Sequence, residues 1–421
     1  MQRERDVVTP ALRSESLRRT RLALLIALAP ALCLVAGCGS LLGISDLPGV
    51  DGSAGAAADS GGVTEDGSST SSGIASSSSG SSASSSGIAS SSGGTSSSSS
   101  GSASSSGSAS SGSSSGGTSS SVIAISAGVS LACALLSGGT VECWGYNADG
   151  ELGNGTTTNS STPVAVSGLS GATAISVGGY NSICALVSGG AVECWGYNAD
   201  GELGDGTTTS SDTPVAVSGL SGATAISAGN ESACALLSDG RVECWGDNVA
   251  GELGTGTTTN SSTPIAVSGL SGATAISTDN LSACAPLSSG TVECWGYNYD
   301  GELGNGTTTN SSTPVAVSGL SGVTAISAGY WSTCALVSGG TVECWGFNGY
   351  GGLGNGTTTN SSTPVAVSGL SRVTAISVGE DAACALLSGG TVECWGYNSY
   401  GQLGNGTTIS SSTPVAVTVT W

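Results

Sequence analysis

Histidine and lysine are absent from all 421 residues, and six of the eight arginines (Arg3, Arg5, Arg13, Arg18, Arg19, Arg21) precede residue 22. Beyond them only Arg241 and Arg372 are cationic, against 29 Asp and Glu and a formal net charge of −21. Neutralising phosphates requires clustered cations, so nucleic-acid binding is excluded and anionic membrane surfaces are disfavoured. With neither His nor Lys, general acid–base chemistry would fall to carboxylates alone. A long hydrophobic run is also missing. The 15 residues Leu22–Ala36, interrupted by Pro30, are too few for a comfortable membrane span.

What the chain has instead is a repeat. The stretch Cys133-Ala134-Leu135-Leu136-Ser137-Gly138-Gly139-Thr140-Val141-Glu142-Cys143-Trp144-Gly145 returns in close copies from Cys184, Cys234, Cys284, Cys334 and Cys384. A period of about 50 residues, holding four short strand-like runs broken by Gly, Ser and Thr turns, is the sign of a β-propeller or β-solenoid. In every copy the cysteines stand ten positions apart with a small turn midway, which describes a hairpin. A Ser137-Gly138-Gly139 loop with Gly139 left-handed is the common type I turn plus bulge, and it pairs Leu136 with Thr140, Leu135 with Val141 and Cys133 with Cys143. If the closing pair is hydrogen-bonded, the cysteines occupy a non-hydrogen-bonded position, where side chains approach most closely. Six intrablade disulfides are expected: Cys133–Cys143, Cys184–Cys194, Cys234–Cys244, Cys284–Cys294, Cys334–Cys344 and Cys384–Cys394.

Each period reads as four strands: Thr-Pro-Val-Ala-Val (Thr162–Val166), Ala-Ile-Ser (Ala174–Ser176), then the two hairpin arms. The first copy opens directly on Val122-Ile123-Ala124-Ile125-Ser126, whereas the chain finishes with an extra Thr-Pro-Val-Ala-Val run within Thr413–Trp421. The expected fold is all-β, a six-bladed β-propeller of four-stranded antiparallel blades over 122–421, with the C-terminal strand completing the first blade and closing the ring. Glu142, Glu193, Glu243, Glu293, Glu343 and Glu393 alternate away from the cysteines and read as a charged, solvated edge strand.

Ahead of the repeats, Arg18-Arg19-Thr20-Arg21 and the following apolar run have the form of a secretory signal. The run ends in Leu34-Val35-Ala36-Gly37-Cys38, which resembles the bacterial lipobox. That resemblance implies a lipoprotein signal peptide over 1–37 and acylation of Cys38. Gly39 and Ser40, where a retained lipoprotein would carry aspartate, lean toward the outer membrane or cell surface. Residues 38–121 are first weakly acidic, then almost pure Ser, Gly and Ala, and read as a disordered linker that cannot bury a core. As a flexible coil of about 80 residues it would span roughly 50 Å, and membrane association would run through the lipid anchor only.

The run Gly396-Tyr397-Asn398-Ser399-Tyr400-Gly401-Gln402-Leu403-Gly404-Asn405-Gly406 resembles the G-x-N-x-x-G-Q-L-G-x-G motif of the regulator of chromosome condensation repeat family. Pro163–Val166 and Ala127–Leu135 match that family as well, and the resemblance covers all of 122–421. It implies a β-propeller. Two departures limit what transfers: where the family usually places His the copies have Leu131, Ser182, Ser232, Ser282, Ser332 and Ala382, and the well-known members have seven blades. The nucleotide-exchange activity of the nuclear member belongs to a basic, chromatin-bound protein, so an exported acidic chain implies a different role.

Catalysis is not expected, because the carboxylate pairs Asp149/Glu151, Asp200/Glu202 and Asp300/Glu302 recur without one copy being singled out. No cofactor is expected. The Asn/Asp/Gly/Glu loops offer the hard oxygens calcium prefers, at the spacing of no known loop. The cysteines lack zinc-finger spacing and should be oxidised in the envelope, so no metal site is assigned. Two functions stay open: a surface-anchored scaffold for an unknown protein or glycan ligand, monomeric in itself, and an inhibitor of an extracellular enzyme, as the family resemblance allows. A structural envelope protein is the weaker third.

Differences among the copies place the working surface. Ser-Gly-Leu-Ser-Gly and the hairpin turn are nearly uniform, whereas the loops after Ala-Ile-Ser and after Trp-Gly diverge. Connections in a four-stranded antiparallel blade alternate between two faces, so both variable loops share one. The expected binding residues there are Tyr180, Glu231, Asp247, Asp279, Tyr299, Tyr330, Trp331, Tyr350, Glu380 and Asp381.

Overall fold

The hairpin anchors each blade. In the computed structural model, which describes residues 120–179 and 182–418, Gly139 takes φ of 75° and the turn closes by Leu136 N–H to Thr140 O at 2.9 Å. Strand β2 (Leu131–Leu136) thereby pairs with β3 (Val141–Gly145) in the register Leu135↔Val141, Ala134↔Glu142, Cys133↔Cys143. All six expected cysteine pairs are joined, with Cα atoms 4.0 to 4.1 Å apart, the close spacing of a non-hydrogen-bonded position. The signal peptide 1–37, Cys38, nearly all of the linker 38–121, Tyr180 and the last residues of the C-terminal run lie outside the described residues.

β1 (Val122–Ala127) pairs with β2, and β4 (Ser160–Ala165) pairs with β3, giving a sheet in the order β1-β2-β3-β4. Five further four-stranded sheets repeat this order, and the fold is an all-β, six-bladed propeller of antiparallel blades. Two expectations are corrected. Each blade is contiguous in sequence and begins at the Ala-Ile-Ser strand, so the C-terminal strand β24 (Ser411–Ala416) pairs with β23 (Val392–Gly396) and completes the sixth blade rather than the first. The long loop after Trp-Gly returns each chain beside its own hairpin, which leaves no outer strand to be supplied from the far end. The strand glutamates are likewise not on an edge. Glu142 sits on β3, between β2 and β4, opposite Ala134 and Ala165, and is half-buried.

One blade departs for a legible reason. In the fourth, β13 (Ser277–Thr278) is two residues long where its equivalents have six. Pro286 stands on the facing strand, has no N–H to give to the ladder, and leaves only an isolated bridge, Ala273↔Leu287, beyond it.

Successive blades meet through one interface made five times. Trp195, Trp245, Trp295, Trp345 and Trp395 are fully buried, each beside a glycine of the preceding blade, Gly153 for Trp195 and Gly354 for Trp395. Each indole N–H donates to a carbonyl of that preceding blade: Glu151, Glu202, Glu252, Glu302 and Gly352, at 2.8 to 2.9 Å. Five apolar clusters fill these interfaces with Leu, Val and the cystines. Among the described residues, none of these contacts recurs between the sixth blade and the first. Gly404 meets only Val417, Trp144 is partly exposed, and Ile125 on β1 is 64% exposed.

Candidate functional site

The long loop after Trp-Gly is built by one asparagine. Asn147 is fully buried; its Oδ1 accepts Leu152 N–H at 2.7 Å, and its Nδ2 donates to the Thr156 and Thr158 carbonyls. Asn198, Asn248, Asn298, Asn348 and Asn398 repeat the arrangement. The same loop is tied to the one after Ala-Ile-Ser by a backbone bond: Asp247 N–H to Glu231 O, Tyr297 N–H to Leu281 O, Phe347 N–H to Trp331 O and Tyr397 N–H to Asp381 O, at 2.8 to 2.9 Å. Both variable loops therefore form one surface. The uniform loops meet at the other end of the blades, where Ala273 N–H reaches Gly240 O and Val373 N–H reaches Gly340 O.

Within the variable loops the acidic residues divide into two kinds. Glu151, Glu202, Glu252 and Glu302 are buried, and their Oε2 atoms accept the N–H of Asp149, Asp200, Ala250 and Asp300 at 2.8 to 2.9 Å. The second oxygen, Oε1, has no hydrogen-bond partner. Loss of water around these carboxyls, with neighbouring acids adding to it, raises all four, Glu202 to about 8 and Glu252 and Glu302 to about 7. The Asp-Gly-Glu pairs that sequence offered as catalytic carboxylates thus use their glutamates to close the loop from inside.

The expected binding residues are also divided. Tyr299 and Tyr350 are exposed at 72% and 46%, and Glu380 is exposed with Asp381, Tyr330, Trp331 and Glu231 partly so. Asp247 and Asp279 are not available at the surface, being 3% and 8% exposed. Asp279 folds back on its own turn, its Oδ1 accepting Ser282 N–H at 2.6 Å and its Oδ2 accepting Ser282 Oγ–H at 2.6 Å. A short carboxylate two or three residues ahead of free N–H groups bonds locally before it can face outward.

Blades four to six bring their aromatics together. Trp331 lies against Tyr330 at 4.8 Å and Tyr297 at 6.0 Å, between ring centroids. Tyr350 lies 4.8 Å from Tyr397 and 6.1 Å from Phe347, and Tyr397 lies 6.1 Å from Tyr400. The Phe347–Trp331 backbone bond joins the two groups. Tyr397 and Tyr400 were not singled out from sequence, yet an aromatic directly after Trp-Gly recurs at Tyr146, Tyr197, Tyr297, Phe347 and Tyr397, and that recurrence is the signal that could have found Tyr397; Tyr400 shares its loop position with Tyr350, which was expected. Among the described residues, no three His, Cys, Asp or Glu side chains gather as a metal site.

The sequence pattern of the RCC1-like domain matches residues 113–421. The chain belongs to the RCC1-like domain family. The Ultraviolet-B receptor UVR8 of Arabidopsis thaliana is 38% identical over 103 residues, 24% of this chain and 23% of that protein. The E3 ubiquitin-protein ligase HERC2 of Homo sapiens is 35% identical over 103 residues, 24% of this chain and 2% of that protein. The alignments thus span under a quarter of either relative. Among solved structures, yeast RCC1 (Prp20) bound to Kap60 superposes with a TM-score of 0.63 at 19% identity, covering 71% of this chain and 75% of that one. Human WBSCR16 gives 0.63 at 23% identity, covering 71% and 82%. At these identities the likeness establishes the fold, and an RCC1-like propeller is consistent with a protein-binding scaffold.

Proposed function

We propose that this RCC1-like chain is a non-catalytic, protein-binding scaffold, exported and anchored at the cell envelope through a lipid on Cys38, with the variable-loop face as its binding surface. The observation that carries the reading is the pair of aromatic groups on that face, Tyr297, Tyr330 and Trp331 in one and Phe347, Tyr350, Tyr397 and Tyr400 in the other, with Tyr299, Tyr350 and Tyr400 left exposed. Rigid aromatics held on a fixed scaffold are the residues that dominate binding hot spots. The repeated carboxylates speak against catalysis, since the glutamate of each pair is buried and engaged in its loop. The lipobox resemblance and the length of the linker support an anchored rather than a freely secreted protein. The test is capture of envelope proteins on the full chain and on two variants. Alanine at Tyr330 and Trp331 should weaken a captured partner by more than about 1 kcal/mol, whereas alanine at Leu169 should act only through stability; the reverse pattern would place the site on the opposite face.

A further inference from the structure

Charge is distributed between the two faces of the propeller as unevenly as the aromatics are. Arg241 and Arg372 are the only cations among the described residues, and both stand at the hairpin-turn end of the blades. Arg241 follows Gly240 in its turn and is held by Asp239 at 2.7 Å, while Arg372 lies against Gly340 of the preceding turn. The variable-loop face therefore has no cation of its own among the described residues. On blades four to six it presents Tyr299, Trp331, Tyr350, Tyr397 and Tyr400, flanked by Glu380 and Asp381. Partial loss of water raises both of these carboxyls, Asp381 to about 6 with Glu380 adding to it, and among the described residues no cation on this face stands opposite the pair.

Resting on the assignment of this face as the binding surface, we infer that its partner presents a cationic segment, an extended Arg- or Lys-rich stretch of protein. Ring faces carry negative charge density, and a guanidinium or ammonium over a tyrosine or tryptophan is attracted to it. Carboxylates at the margin supply the ion pairs that fix the segment's direction. An anionic segment would be repelled at Glu380 and Asp381, and a purely apolar one would leave that pair buried without a counter-charge. The complement of an aromatic strip across three blades with Glu380 and Asp381 at its sixth-blade end is an extended chain that carries cations with small residues between them.

The experiment uses the full chain and three synthetic peptides, (Arg-Gly-Ser)4, (Lys-Gly-Ser)4 and (Glu-Gly-Ser)4, titrated by calorimetry with indole fluorescence as a second readout. The cationic peptides should bind and the acidic one should not. Binding should weaken with salt, and Trp331→Ala and Tyr350→Ala should each reduce it by about tenfold. Glu380→Gln with Asp381→Asn should weaken it far more than the equal charge change Asp239→Asn with Glu243→Gln on the other face. An equal loss from both double variants would mean attraction to net negative charge alone and would overturn the inference. So would binding indifferent to Trp331 and Tyr350, absence of binding, or stacking of a neutral oligosaccharide such as cellohexaose on the same rings in place of the peptides. If envelope partners are captured through Tyr330 and Trp331 but (Arg-Gly-Ser)4 does not compete with them, the cationic partner fails while the binding face stands.

Discussion

Glu202 and Gln402 occupy the same loop position in different copies, and the pair is an internal experiment. Gln402 Oε1 accepts Tyr400 N–H at 2.9 Å just as Glu202 Oε2 accepts Asp200 N–H at 2.9 Å, so the fold treats a neutral amide and the carboxyl alike. A buried carboxyl with no cation nearby meets that demand by keeping its proton. Burial first, then the neighbouring Asp200 and Glu231, raise Glu202 from 4.5 to about 8. The unfolded chain gives up that proton near 4.5, so between 4.5 and about 8 the unfolded state binds fewer protons than the folded one. The stabilisation is therefore complete below pH 4.5 and is lost as pH rises through the folded value. Melting temperature should fall from pH 5 to pH 8, and Glu202→Gln should gain about 1 kcal/mol or more at pH 8 with little change at pH 4; a flat profile would show the carboxyls already ionised. A second residue-scale prediction concerns Arg372, the sole non-glycine with positive φ among the described residues, at 59°. Gly171, Gly222, Gly272 and Gly322 hold the equivalent position at 67° to 71°. Arg372→Gly should raise stability by about 0.5–1 kcal/mol in denaturant titration, because the left-handed conformation costs a side chain that glycine lacks.

At the scale of the element, the cysteine hairpin was fully legible. Two cysteines ten apart around Ser137-Gly138-Gly139 contain their own register, since turn type and strand alternation are both local. Cys234→Ser with Cys244→Ser should cost about 2.5–3 kcal/mol, the chain-entropy value for a loop of that size, read from the shift in denaturation midpoint. What was not legible was the phase of the blade. Thr162–Val166 could equally begin one sheet or end another by pattern alone; its partner is decided by how the 14-residue stretch Tyr146–Asn159 folds around buried Asn147, a matter of side-chain bonds rather than periodicity. For the same reason Asp247 and Asp279 read as surface acids in sequence, while local N–H groups and packing draw them inward. Deletion of residues 411–421 tests which blade the last strand completes. Amide exchange protection should be lost at Val392–Gly396 in the sixth blade and retained at Val122–Ala127 in the first, and loss at Val122–Ala127 would restore closure by the C-terminal strand.

For the whole molecule, the decisive comparison is between a tryptophan covered by a neighbouring blade and one that, among the described residues, is not. Trp245 is fully buried, bonded to the Glu202 carbonyl at 2.9 Å and packed on Gly204, so truncating it opens a cavity inside an interface. Trp144 is its counterpart in the first blade, partly exposed, and the glycine it would cover, Gly404, has only Val417 beside it. A repeat protein's stability is approximately a sum of its repeats and nearest-neighbour interfaces, and among the described residues five such interfaces hold six blades. Trp245→Ala should therefore cost about 3–5 kcal/mol, the range for a buried aromatic, whereas Trp144→Ala should cost less than about 1 kcal/mol. The same contrast should appear in acrylamide quenching, with one indole of the ring series accessible and removed by Trp144→Ala. Equal costs for the two substitutions would mean that the sixth blade covers the first in solution, and that the ring closes through a sixth copy of the interface.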